Sequence, residues 1–346
     1  MSPRAAKSKP GLAELLRAGR LDEFVKRALE LEPADLADVL SSLDEAERLT
    51  AVRALPPEVS GEALIEMPEE EHAEDTLAAL EPEQAADIVD EMADDDAADI
   101  LQELEPEEQE RILSEVEDRS DVDRLLAYDE ESAGGLMTTH VVTVFDTVTA
   151  GEAIEEIRRQ AEEMEGFYQV FVVDPASRLV GLLPLNQLVT SPPDRSVREF
   201  MEAAEISVTP DRDQEEVARL MARYNVPSVP VVDGNGVLLG RVTFDDVIDV
   251  VEAETTEDLL QFGGVSAVEE LGAPWTDAVR SRLPWLYVNL LTAFAAASVV
   301  LVFSNAIQEI KWLAVFMPVI AGMGGNAGTQ ALAVSIRRIA LGQVAP

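Results

Sequence analysis

Apolar and polar positions in the first third of the chain recur every 12 residues, with a single spacing of 13. The recurring element is a break. It reads Leu31-Glu32-Pro33, Leu43-Asp44-Glu45, Leu55-Pro56-Pro57, Met67-Pro68-Glu69, Leu80-Glu81-Pro82, Met92-Ala93-Asp94 and Leu104-Glu105-Pro106. In each, an apolar residue precedes an acid or proline suited to a helix's first turn, and two amphipathic turns follow. Units this short bury no face alone, so the pattern predicts short helices stacked into an all-α superhelix over residues 1–125. A single coiled coil would lack the prolines.

From about Leu136 the texture changes. Apolar β-rich runs occur at Val141–Phe145, Gln169–Val173, Leu179–Leu183, Ile206–Thr209, Val229–Val232 and Val237–Val242, with helical patterns at Ala150–Glu163 and Gln214–Tyr224 between them. The order strand, helix, strand, strand, helix thus appears twice, about 60 residues apart. Val172-Val173-Asp174 matches Val231-Val232-Asp233, and Leu179-Val180-Gly181 matches Leu238-Leu239-Gly240. Each copy is small for a core of its own, so the two are expected to pack as one module, with copies at 136–198 and 199–257. The duplication resembles a tandem CBS pair, a module that senses adenosine ligands. The second copy carries the family's Gly-x-x-Thr-x-x-Asp ending as Gly240, Thr243 and Asp246, and the resemblance would place Thr243 and Asp246 on a ribose, with ATP as ligand. The first copy has Gly181, Pro184 and Gln187 there, lacking both hydroxyl and carboxylate.

The last third begins with a helical pattern at Phe244–Gln261, part of a connecting segment over 244–270 that leads through Gly263-Gly264 and Pro274 to two uncharged apolar stretches. Leu283–Phe303 runs 21 residues and Trp312–Ile336 runs 25 without a charge. As helices they reach roughly 31 and 37 Å, against about 30 Å of hydrocarbon, and are expected to span a membrane at 283–303 and 312–336. Arg280 and Arg282 flank the first and Arg337 and Arg338 follow the second, while the link Ser304–Lys311 holds one lysine and one glutamate. The positive-inside rule puts both ends in the cytoplasm and the short link outside, a multi-pass protein of the cytoplasmic (inner) membrane. The N-terminus has no apolar signal-peptide core, which keeps the long acidic portion cytoplasmic in this reading.

Charge narrows the partners. Residues 1–270 hold 21 basic and 66 acidic groups, a formal net charge of −45. Such a surface repels nucleic acid and anionic headgroups and attracts cations; with only four lysines, it also fits adaptation to high salt. Without cysteine there is no disulfide, thiolate site or thiol nucleophile, and His72 and His140 alone make no clustered histidine site. No nucleophile–base signature or phosphate loop stands out, so no enzyme is expected.

The second apolar stretch carries Pro318-Val319-Ile320-Ala321-Gly322-Met323-Gly324-Gly325-Asn326-Ala327-Gly328-Thr329-Gln330. Gly324 and Gly328 make a small-xxx-small pair for helix packing. Packing explains the glycines but not the amide and hydroxyl side chains. A pore-lining segment loosened by proline and glycine, with Gly325, Asn326, Thr329 and Gln330 offering neutral oxygens to a hydrated hard cation, explains both. The pattern Pro-Val-x-x-Gly-x-Gly-Gly-Asn-x-Gly-x-Gln resembles the MgtE family of magnesium channels. So do Ala133-Gly134-Gly135-Leu136-Met137-Thr138, the run Asp213-Gln214-Glu215-Glu216-Val217-Ala218-Arg219-Leu220-Met221, and the order helical superhelix, CBS pair, connecting helix, membrane helices. That family has five membrane helices per subunit, the last supplying a pore carboxylate. The chain is therefore expected to be truncated after the second, lacking the last three.

The resemblance implies a homodimeric channel in contact with membrane lipid, taking up Mg²⁺ and gated shut by cytosolic Mg²⁺ between its domains. The regulatory positions it implies are Glu62, Asp95 and Asp99 in the helical domain; the Gly135 carbonyl, Asp213, Glu215, Asp246 and Asp249 in the CBS module; and Glu254, Glu257 and Asp258 on the connecting helix. Asp95 and Asp99 lie on one helix face, as do Glu254 and Asp258. A further family carboxylate position holds Asn225. Without Mg²⁺ the acidic domains repel, and bridging ions favour the compact state. The rival readings are a membrane-anchored CBS nucleotide or energy sensor, and a scaffold whose superhelix grips a partner protein.

Overall fold

A computed structural model describes residues 5–68, 71–161, 169–262 and 275–340. Glu69, the expected helix end at Glu162-Glu163, Gly263-Gly264, Pro274 and the side chains of Glu257 and Asp258 lie outside the described residues. The chain divides into two compact units, Met1–Val251 and Glu252–Pro346.

The first unit opens with short helices α1 (Ala5–Arg17), α2 (Leu21–Ala28), α3 (Pro33–Ser41), α4 (Glu45–Ala54), α5 (Pro57–Ile65), α6 (Ala73–Ala78), α7 (Pro82–Asp90), α8 (Asp94–Gln102), α9 (Pro106–Leu113) and α10 (Ser120–Leu125). The 12-residue break sets their starts. Pro33, Pro57, Pro82 and Pro106 open α3, α5, α7 and α9, where a missing N–H costs nothing. Acids open the helices between. The Asp44 carboxylate accepts from Glu47 N at 2.9 Å in a capping box, and α8 begins with Asp94, Asp95 and Asp96. Alternate helices meet. The odd members α1, α3, α5, α7 and α9 form one row, and the even members α2, α4, α6, α8 and α10 another. The apolar residue of the break is buried at Leu43, Leu55, Met67, Leu80, Met92 and Leu104, and half-buried at Leu31. After the fourth break His72 takes a left-handed conformation (φ 52°), and α6 starts only at Ala73.

The duplicated region follows, within the same unit as far as Val251. Its elements are β1 (Thr143–Phe145), α11 (Ala150–Gln160), β2 (Val170–Val173), β3 (Leu179–Leu183), α12 (Leu185–Thr190), α13 (Gln214–Tyr224), β4 (Ser228–Val232), β5 (Leu238–Thr243) and α14 (Phe244–Phe262). β1 runs parallel to β2, and β2 pairs antiparallel with β3; β4 pairs antiparallel with β5. The strand expected at Ile206–Thr209 is reduced to one parallel bridge, Val208 to Val231. Pro210 and Pro230 remove donors from both partners and stop the ladder there.

The two copies exchange segments. Thr138, at the opening of the first copy, bridges Arg241 of β5, with backbone bonds of 2.9 and 3.0 Å. Glu202, at the opening of the second, bridges Leu182 of β3 through two bonds of 2.8 Å. Glycines admit both crossings: a Cβ at Gly240 would lie 2.5 Å from the Thr138 carbonyl, and one at Gly181 would lie 2.6 Å from that of Glu202. The hairpin tips also meet, Leu179 N donating to Gly236 O and Leu238 N to Ser177 O. Ala133, Met137, Val217, Val229, Val231 and Val242 of the second copy's side share one apolar core with the helical rows, while the first copy keeps a separate core.

The second unit contains α15 (Trp275–Val302), α16 (Ser304–Glu309) and α17 (Lys311–Ala340). Among the described residues one helix is long and apolar enough to cross a membrane, at Arg282–Val302 with mean hydropathy 1.9. Two expectations change. The link at 304–311 forms a short helix, and the glycine-rich run is not loosened: α17 is continuous through Pro318 and Gly322–Gly328.

Candidate metal centre at an acidic junction

The start of α8 faces the end of β5 and the first turn of α14, and aspartates gather there from both sides. Three acids in the first turn of a helix suit the positive end of its dipole, so the sequence Asp94-Asp95-Asp96 is locally favourable. Asp94 is 5% exposed and anchored from across the junction. Thr138 Oγ1 donates to its Oδ1 at 2.6 Å, Thr139 N to its Oδ2 at 2.9 Å, and Thr139 Oγ1 also donates to Oδ2. His140 Nδ1 stands 3.8 Å from Asp94 Oδ1.

Asp95 is 8% exposed, and its Oδ1 finds no hydrogen-bond partner. Burial, then the charges of Asp96, Asp246 and Asp94, raise its carboxyl pKa well above the usual range. Asp96 is pushed up to about 7 by burial and by Asp246, Asp245, Asp94 and Glu66. Asp99 reaches about 7 through burial and the charges of Asp246, Asp96 and Glu130. Burial raises Asp246 to about 6 with help from Asp245 and Asp249, although Thr243 Oγ1 donates to it at 2.5 Å. A buried carboxylate oxygen without a donor, amid carboxylates that lift one another's pKa values, fits a hard cation with oxygen ligands. The residues present therefore suit a divalent ion such as Mg²⁺. Arg241 also stands here, 7% exposed with its Nε unpartnered; burial lowers its pKa, and Asp95, Asp245, Asp246 and Asp94 oppose that.

Of the residues expected to bind metal, Asp95 and Asp99 both feel Asp246 here, and Asp249, exposed one turn further along α14, acts on Asp246. Asp94, Asp96, Asp245, Glu66, Glu130 and Arg241 join them, and sequence reasoning had not selected these six. The run of three aspartates opening one repeat was a signal for Asp94 and Asp96 alone.

Others lie elsewhere. Glu62 is exposed on α5, one turn before Glu66, and Glu254 is half-buried on α14. Asp213 caps α13, accepting from Glu215 N at 2.9 Å, and Glu215 pairs with Arg219. Asp213 also lines an open depression of about 560 Å³ with Tyr128, Asp129, Glu131 and Asp211. Gly135 is buried where a Cβ would lie 2.6 Å from the carbonyls of Asp129 and Glu130. Asn225 ends α13 in a left-handed conformation, φ 53°. On the surface His72 Nδ1 is 2.9 Å from Glu74 Oε1, with Asp75 beside them. Gly325, Asn326, Thr329 and Gln330 are exposed on α17, Thr329 Oγ1 bonding back to Gly325 O at 3.1 Å. Thr243 N also donates to Asp246 at 3.3 Å, so the two expected nucleotide residues engage each other.

Comparison with known proteins adds an independent line. Residues 31–131 match the family model of the MgtE intracellular N domain, and residues 133–193 and 197–253 match that of the CBS domain. The magnesium transporter MgtE of Thermus thermophilus is 41% identical over 228 residues, 64% of this chain and 50% of that protein. The magnesium transporter MgtE of Bacillus subtilis is 38% identical over 216 residues, 62% of this chain and 48% of that protein. The chain thus spans about half the length of the curated relatives it matches. The solved soluble part of a magnesium transporter aligns with a TM-score of 0.66 at 33% identity, over 72% of this chain and 99% of that one. The cytosolic domain of the Mg²⁺ channel MgtE in complex with ATP aligns with a TM-score of 0.66 at 36% identity, over 70% and 99%. With an MgtE-specific domain, a CBS pair and nearly the whole of two solved soluble parts matched in one continuous stretch, the chain belongs to the MgtE family.

Proposed function

We propose that the chain is the regulatory portion, with the first membrane helices, of a homodimeric channel that takes up Mg²⁺ across the cytoplasmic membrane. Its role is non-enzymatic. In this reading the helical rows form a superhelix over residues 1–125, the copies at 136–198 and 199–257 are a CBS pair, and the helices at 283–303 and 312–336 span the bilayer. Gly325, Asn326, Thr329 and Gln330 then line part of the ion path. The transport assignment is supported by the kinship with magnesium transporters.

The regulatory reading is carried by one observation: a buried aspartate oxygen without a donor, Asp95 Oδ1, at a junction of carboxylates. Asp95 and Asp99 on α8, with Asp246 and Asp249 on α14, would hold the ion. Bound there, Mg²⁺ supplies the positive charge that the carboxylates lack. Asp96 and Asp245 add field, and Asp94 fixes α8 against Thr138 and Thr139. An ion bound better by the compact than by the separated state shifts the population toward the compact one. Because α14 continues without a break from Asp246 to Phe262, it is the element suited to carry that state toward the membrane helices. The result is negative feedback on uptake by the transported ion. Small-angle scattering of the full chain in detergent micelles tests the idea. Millimolar Mg²⁺ is expected to reduce the radius of gyration beyond the effect of NaCl at matched ionic strength. An unchanged profile would sink the regulatory reading.

A specific observation also favours ATP as a ligand. Thr243 and Asp246 stand on the Gly-x-x-Thr-x-x-Asp ending, and a relative's cytosolic domain is solved with ATP. A membrane-anchored nucleotide sensor would keep this site and lose the Mg²⁺ response.

A further inference from the structure

Arg241 is a buried cation that the regulatory reading above does not use. It belongs to β5, and its backbone is held in place by the two bonds to Thr138. A guanidinium stays charged in any protein environment, and its weak hydration makes it the cation that best tolerates burial. Four aspartates act on it. They fall into two sets. Asp245 and Asp246 belong to the same CBS copy and keep their place beside β5 whatever α8 does. Asp94 and Asp95 belong to α8, on the other side of the junction.

That division makes the charge directional. When α8 is seated, Arg241 is attracted by aspartates of both sets; when α8 leaves, it keeps only those of its own copy. Attraction to the α8 aspartates therefore exists in the compact state alone, and such a differential contact biases an equilibrium. Asp94 strengthens the case. Its hydrogen bonds to Thr138 and Thr139 come from neutral donors, and His140, 3.8 Å away, and Arg241 are the basic groups that face it. A like-charge effect runs the other way, since a fixed cation repels a divalent ion entering beside it. The carboxylates outnumber it: Asp94, Asp95, Asp96, Asp99, Asp245 and Asp246 stand against one guanidinium, and above the raised values of Asp96, Asp99 and Asp246 they leave a negative excess. The surplus still attracts an ion, while the first part of the repulsion between domains is already offset.

We propose that Arg241 is a tethered cation of the junction, which offsets part of the carboxylate charge permanently and so lowers the Mg²⁺ concentration at which α8 and the second CBS copy close. It is a positioning residue that sets the threshold, and the proposal rests on the reading that divalent ions close this junction. The test is a Mg²⁺ titration of the full chain in detergent micelles, followed by scattering, for wild type, Arg241→Met and Arg241→Lys. Arg241→Met keeps most of the volume and removes the charge, and its midpoint is expected to rise on the order of tenfold. Arg241→Lys keeps the charge and is expected to stay within about threefold of wild type. An Arg241→Met midpoint equal to or below that of wild type overturns the proposal. Should that variant lack a cooperative melt, Arg241→Lys decides alone, and a shift beyond about threefold in either direction overturns it. A wild type that ignores Mg²⁺ defeats the divalent-ion reading itself, an outcome distinct from a titrating wild type with an indifferent Arg241→Met.

Discussion

Thr138 Oγ1 donates a hydrogen bond of 2.6 Å to Asp94, joining residues 44 positions apart across the seam between α8 and the second CBS copy. Thr139 adds two more donors to the same carboxylate. This part of the contact needs no metal. Asp94→Ala strands those donors in a largely buried site, and hydrogen bonds to a charged group contribute about 1.5–3 kcal/mol each. The expected loss is at least ~2 kcal/mol in urea unfolding of the full chain, and Asp94→Asn should lose less. Wild-type stability for Asp94→Ala would mean that the contact holds nothing together.

Acid is expected to do part of the work of a divalent ion. Asp96 and Asp99 titrate at about 7 and Asp246 at about 6 in the compact state, against roughly 4 when exposed. The compact state thus binds more protons between about pH 4 and 7, so its stability grows as pH falls through that range and is lost as pH rises through about 7. Holding Asp99 near 7 corresponds to ~4 kcal/mol at neutral pH, enough to separate a marginal interface. In EDTA, the radius of gyration should shrink on moving from pH 8 to pH 6, and saturating Mg²⁺ should flatten the response. Expansion on acidification would contradict the cluster.

Gly240→Ala separates close approach from flexibility. Its Cβ would lie 2.5 Å from the Thr138 carbonyl and 3.0 Å from Met137 Sδ, and the carbonyl belongs to a paired backbone that cannot yield. Overpacking of this kind costs about 1–3 kcal/mol. Gly234→Ala, with open space around its Cβ, is the control and should be nearly neutral. Equal melting temperatures for the two variants would remove the crossing of Thr138 over β5 as a structural constraint.

If ATP binds at the second copy, Thr243→Val should weaken it by about tenfold in calorimetry, since the hydroxyl that orders Asp246 is lost. The melting temperature should move little, because Thr243 is only partly buried. Undiminished ATP affinity in this variant places the nucleotide elsewhere.

Local chemistry made much of this fold legible in the sequence. Prolines and acids at the breaks announced the helix starts, and the runs at Leu179–Leu183 and Gln214–Tyr224 coincide with β3 and α13, because period and capping are short-range properties. The misses have longer reach. Val208 pairs through a single bridge because Pro230, a residue of another strand, withholds a donor. The α17 glycines stay helical where the run was expected to be loosened, and open space surrounds each of them. Resemblance pointed to Asp95, Asp99, Asp246 and Asp249 among a longer list of regulatory positions in three regions. Asp94 and Arg241 escaped notice because each matters only through a residue far along the chain. Nothing near Arg241 in sequence says that two aspartates from position 94 onward will face it.

The exchange of Thr138 and Glu202 between the two copies has a consequence for how this region comes apart. Each copy finishes its sheet with a piece of chain from the opening of the other, so neither can melt while leaving its twin whole. Domain repeats joined by a plain linker unfold in steps. Here, denaturant should take both copies through one transition, and a lesion in either should be felt equally in the two.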